Sequence, residues 1–101
     1  MTDFVGTWDA TLTTPIGIMQ VVFDITETDG VLGGVARSDA EAVDILDAAT
    51  DGARMTWTQH VTTPMRLTLK FDVTVEGDEM TGSYKAGILP TSSVKATRRP
   101  Q

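Results

Sequence analysis

Between Met65 and Val75 apolar and polar residues alternate without a break. Met65, Leu67, Leu69, Phe71, Val73 and Val75 fall on one side, and Arg66, Thr68, Lys70, Asp72 and Thr74 on the other. Successive side chains of a strand point to opposite faces, so this segment reads as a strand with one face in a core and one in water. The same period predicts seven further strands. The first covers about 4–13, with Trp8, Ala10 and Leu12 inward, and the second about 17–27, with Met19, Val21, Phe23 and Ile25 inward. The third, about 31–37, turns Leu32, Gly34 and Ala36 inward, and the fifth, about 53–61, turns in Met55, Trp57 and Gln59. The seventh, about 79–86, carries Met80, Gly82 and Tyr84 inward, and the eighth, about 92–99, has Val94, Ala96 and Arg98 on one face. The fourth, about 42–48 with Val43 and Ile45 inward, is ambiguous. Ser38-Asp39-Ala40-Glu41 fits a helical capping box, and Ala42, Ile45, Leu46 and Ala49 have helical spacing.

The connections differ between the two ends. Asp29-Gly30, Asp51-Gly52 and Gly77-Asp78 are tight-turn dipeptides, because Gly and Asp tolerate positive φ. In an up-and-down order all three lie at one end. Thr13-Thr14-Pro15-Ile16, Arg37 to Glu41, Thr62-Thr63-Pro64 and Gly87-Ile88-Leu89-Pro90-Thr91 are longer or carry Pro, and lie at the other, which can open. The chain also reads as duplicated. Thr7-Trp8 and Thr13-Thr14-Pro15 recur 49 residues later as Thr56-Trp57 and Thr62-Thr63-Pro64. After a slip of one residue, Phe23-Asp24-Ile25-Thr26 matches Phe71-Asp72-Val73-Thr74 and Gly34 matches Gly82. Four strands alone leave two edges and little core, whereas two such halves close one sheet. The expected fold is all-β: an eight-stranded antiparallel up-and-down β-barrel in one domain, 1–101, with pseudo-repeats about 1–50 and 51–101.

Composition narrows the function classes. At 101 residues, 41% hydrophobic and 22% charged, the chain supports one modest core and is unlike a disordered segment. The 17 threonines and the frequent valines suit strands. No apolar run reaches the roughly eighteen residues of a membrane-spanning helix. Met1-Thr2-Asp3-Phe4 lacks the basic and apolar regions of a signal peptide, so the expected compartment is the cytoplasm. The absence of cysteine excludes disulfides, thiolate catalysis and thiolate zinc sites, and a single histidine excludes a multi-histidine site within one chain. A net charge of −6 disfavours nucleic acid and anionic membranes as partners.

Gly6-Thr7-Trp8 on the first strand, the eight-strand meander and Arg98 on the last strand resemble the calycin group of lipocalins and avidins. Asp29-Gly30-Val31-Leu32-Gly33-Gly34 is similar to the second hairpin of avidin-like chains. The chain as a whole also resembles short bacterial lipocalin-like proteins, for which the resemblance implies a fold and no activity. The resemblance implies that Trp8 plugs the closed end of the barrel and that Arg98 packs across it. The first strand leaves that end and the eighth returns to it, so the two side chains should meet across the seam in a cation–π contact. The chain has no Asn and no match to the polar set that avidins use for biotin, and biotin binding is not carried over.

Chemistry is sparse on the inward faces, where Gln59, Tyr84 and Arg98 are the polar exceptions. Gln59 and Tyr84 fall late on their strands, toward the loose end, at heights similar to Leu12 and Met19. An apolar cup with two polar groups near its mouth is the usual form of a small-molecule site. The candidate ligand-binding residues are therefore Leu12, Met19, Trp57, Gln59, Phe71 and Tyr84, with no metal and no cofactor expected. Three functions stay open. One is a binding module for an apolar or aromatic small molecule. The second is an isomerase, cyclase or lyase with Tyr84 as acid and Gln59 orienting a hydrophobic substrate. The third is a barrel filled by its own side chains, acting through its outer surface. His60 points outward by alternation, and no inward pair of carboxylates suggests acid–base work. Ile18, Val22, Val31, Val35 and Leu46 lie outward on strands two to four, where polar residues are expected. That cluster predicts a homodimer.

Overall fold

The computed structural model describes residues 4–14, 17–39, 41–62, 66–87 and 90–99. It contains β1 (Gly6–Thr14), β2 (Gly17–Thr28), β3 (Val31–Arg37), β4 (Ala42–Asp51), β5 (Arg54–Val61), β6 (Leu67–Glu76), β7 (Glu79–Ala86) and β8 (Ser92–Arg98). Each strand pairs antiparallel with the next, and β8 returns to β1, so the sheet closes into an up-and-down barrel without edges. The alternation is realised most fully on β1, β2 and β6. Trp8, Ala10 and Leu12 are buried on β1, Val21, Phe23 and Ile25 on β2, and Leu69, Phe71, Val73 and Val75 on β6. Met65 lies outside the described residues. Met19, expected inward, is 40% exposed because it stands at the rim.

The ambiguous segment is a strand with a fault in it. Leu46 pairs with Thr58 and Ala49 with Thr56, so Asp47 and Ala48 together oppose Trp57. Asp47 takes φ 52, the left-handed conformation that a short polar side chain tolerates. This bulge changes the parity of the strand. Ile45 is buried before it and Ala48 is half-buried after it, a spacing of three that mimics a helix. The capping-box residues do make a cap-like turn. Ser38 Oγ accepts from Glu41 N at 3.4 Å and Ser38 N donates to Glu41 O at 2.9 Å, but the chain leaves it as β4.

The barrel core is a set of aromatic rings set by register. Trp8 lies opposite Phe23, and Trp57 opposite Phe71, which in turn lies opposite Tyr84. Trp57 and Phe71 stack at 4.9 Å, Phe71 and Tyr84 at 5.3 Å, and Phe23 meets Trp57 and Phe71 edge-on. Edge-to-face and offset pairs at such distances add to the stabilisation from burial. Two glycines admit these strands. A Cβ on Gly34 would stand 1.8 Å from the Asp24 carbonyl oxygen, and one on Gly82 2.1 Å from that of Asp72. Ile25 faces Gly34, and Val73 faces Gly82.

Outside, charged pairs tie neighbouring strands. Arg37 pairs with Asp24 at 2.6 Å, Arg54 with Asp72 at 2.6 Å and Arg99 with Asp9 at 2.8 Å. The guanidinium of Arg54 holds the Asp72 carboxyl below its ordinary value, and that of Arg99 does the same for Asp9. Ile18 and Val31 are 70% and 68% exposed. Ile18 faces Thr13 at one end of β2 and Val31 faces Thr28 at the other, so with Val22 and Val35 they form a broken stripe along the barrel. The Arg37–Asp24 pair crosses that stripe.

Candidate ligand cavity at the open end

The closed end is sealed by its own side chains. Trp8 is fully buried, and its Nε1 donates to the Phe4 carbonyl at 2.9 Å. Phe4, which the alternation did not single out, is itself buried beneath the barrel. The Arg98 guanidinium lies 4.6 Å from the Trp8 ring centroid, as the seam argument predicts, and its Nε is 3.7 Å from Asp78 Oδ1. Gly6 is the third part of this unit. Its φ of +144 disfavours a side chain, and a Cβ there would stand 3.3 Å from Arg98 Cδ.

The opposite end holds a small cavity of about 40 Å³. Leu12, Met19, Val21, Ala36, Val43, Val61 and Leu69 supply its apolar wall, with Gln59 at its inner side and Arg37, Ser38 and Glu41 at its rim. Leu12 faces Met19 across the β1–β2 ladder, and Gln59 faces Leu69 across β5–β6. One water needs on the order of 10–15 Å³ on this scale, so the space takes a few waters or a small apolar group. An intact aromatic ring does not fit without displacement of a wall residue. Met19, flexible and at the rim, is the wall residue placed to move.

The six expected ligand residues divide into two groups. Leu12, Met19 and Gln59 line the cavity, whereas Trp57, Phe71 and Tyr84 form the ring stack and are absent from its wall. Trp57 reaches the cavity at one remove, since its Nε1 donates to Gln59 Oε1 at 2.7 Å. Gln59 is 3% exposed, the one buried polar side chain among the described residues. Tyr84 donates its hydroxyl to the Thr13 carbonyl at 2.7 Å and so links β7 to the end of β1 across β8. Burial pushes its phenol above the ordinary value, against a smaller opposite effect of the Ser92 side chain. The rim is braced separately: Glu41 accepts from Thr62 N at 2.9 Å and from Thr62 Oγ1 at 2.7 Å, which ties the start of β4 to the end of β5.

Val43, Val61 and Leu69 lie inward by parity, and what the alternation lacked was the height at which each strand stops. His60 is exposed, its Nδ1 3.2 Å from Thr68 Oγ1 on the outer face. Among the described residues no three His, Cys, Asp or Glu side chains gather as a metal site, and no helix is long and apolar enough to cross a membrane. Comparison of the chain with models of known protein families finds no match, and comparison with curated proteins finds no relative.

Proposed function

We propose that this chain is a small binding module of lipocalin-like type that holds the apolar end of a small molecule at the open end of the barrel. The observation that supports it most is the cavity itself, an apolar recess with one buried polar side chain, set between the longer connections. Such recesses with few placed polar groups are the common form of ligand sites. Its volume restricts the reading further. Only the tip of a ligand enters, and the remainder lies over the rim beside Arg37, Ser38 and Glu41. Catalysis by Tyr84 has less support, because its hydroxyl is occupied by Thr13 O and lies off the cavity wall.

Tryptophan emission tests this reading. Trp57 is bonded to Gln59, and Trp8 lies at the closed end, so Trp8→Phe leaves a single indole beside the cavity. Saturable change in the Trp57 emission on adding short ketones or alcohols is expected. Unchanged emission with Met19→Phe, which fills the recess without adding an indole, and saturable change without it would support the site; no saturable change in either overturns it. We also propose that a second copy covers the stripe of Ile18, Val22, Val31 and Val35 together with Leu46, because one patch then serves both chains.

A further inference from the structure

The cavity's one buried polar group has its orientation fixed from behind. An indole N–H donates and never accepts. The 2.7 Å bond from Trp57 Nε1 therefore requires the oxygen of the Gln59 amide, not its nitrogen, to face the indole. The nitrogen then takes the other side. Gln59 borders the cavity, and its amide nitrogen has no hydrogen-bond partner among the described residues. The other polar groups of the wall are already engaged. Glu41 is held by Thr62, Arg37 by Asp24, and Ser38 by Glu41. What the recess offers a ligand at depth is a donor alone.

We propose that Gln59 makes the cavity selective for small molecules that carry a hydrogen-bond acceptor, a carbonyl or carboxyl oxygen, beside a short apolar group. Trp57 is the positioning residue that sets this polarity, since without its N–H the amide is able to turn either way. The inference rests on the binding reading above and adds the chemical class of ligand. A ligand without an acceptor would leave the two amide hydrogens unpaired on burial, and the loss of one such bond corresponds to roughly a tenfold change in affinity.

The test compares butanone with its methylene analogue, in which the carbonyl oxygen is replaced by a carbon of similar size. Both are titrated into the intact protein while the Gln59 side-chain amide and Trp57 indole signals are followed by NMR. Butanone should bind about tenfold more tightly and shift the Gln59 amide signals. Gln59→Met, close in shape, should lose the preference for butanone, and Trp57→Phe should narrow it while keeping Gln59. Equal affinity of the native protein for both probes overturns the proposal and leaves the binding reading standing. Binding of neither probe overturns the binding reading itself. The native comparison decides the matter even where a variant fails to fold.

Discussion

Trp8 is held by Phe4 through its N–H, by Arg98 through its ring, and by the room that Gly6 leaves for both. Arg98→Ala should therefore destabilise the barrel by about 1–2 kcal/mol, through the lost cation–π contact and the lost cover of its stem. Arg99, one residue on, points outward to Asp9 in an exposed pair, and Arg99→Ala should cost distinctly less. Denaturant midpoints of the two variants check this, and equal shifts would contradict the register of β8. Tyr84 offers a cleaner titration, because it is the one tyrosine of the sequence and its phenolate absorbs separately. Burial favours its neutral form in the folded state, so the folded protein keeps this proton at pH values where the unfolded chain has lost it. The stabilisation is fully present below the ordinary value of 10.0 and fades as pH rises through the higher folded value. Tyr84→Phe should flatten that alkaline loss. A phenolate transition at the ordinary value in the folded protein would show that the phenol is not sequestered.

The strands differ in how far they were legible. β6 alternates without interruption and faces water on one side only, so period two alone defines it. β4 was legible only in its first part: Val43 and Ile45 lie inward as period two predicts, and then a bulge inserts one residue and turns the two-residue period into a three-residue step at Ile45 and Ala48. Asp47 is the residue that permits this fault, and the substitutions sort accordingly. Asp47→Gly should be neutral or slightly stabilising, whereas Asp47→Val should destabilise by about 1–2 kcal/mol in thermal unfolding, since a β-branched residue resists positive φ. The paired glycines of β3 give a sharper contrast. Nothing lies within 4 Å of a Cβ on Gly33, while one on Gly34 collides with backbone. Gly33→Ala should be close to silent and Gly34→Ala should cost at least about 1–3 kcal/mol. Similar melting temperatures for the two would contradict the β2–β3 pairing. The candidate site was half legible for a related reason. Parity showed which side chains point inward, and so found Leu12, Met19 and Gln59. It could not show that Trp57, Phe71 and Tyr84 would stack on one another and fill the middle of the barrel.

At the scale of the whole molecule, the barrel is closed at one end by Trp8 and Arg98, filled at its centre by rings, and open over a shallow recess. That gradient follows from where the large residues fall along each strand and from which turns are short. The proposed dimer belongs to the outer surface and is tested apart from the recess. Sedimentation should show a dimer at high micromolar concentration, and Val22→Glu with Val35→Lys should give a folded monomer. A native protein that stays monomeric there would remove that interface.

The recess is the centre of the account, and amide NMR of the native protein titrated with butanone probes it directly. Saturable shifts confined to Leu12, Met19, Val43, Gln59, Val61 and the Trp57 indole, with Trp8 and Arg98 unmoved, are the predicted result. Absence of saturable shifts, or shifts centred on Trp8 at the sealed end, would contradict it.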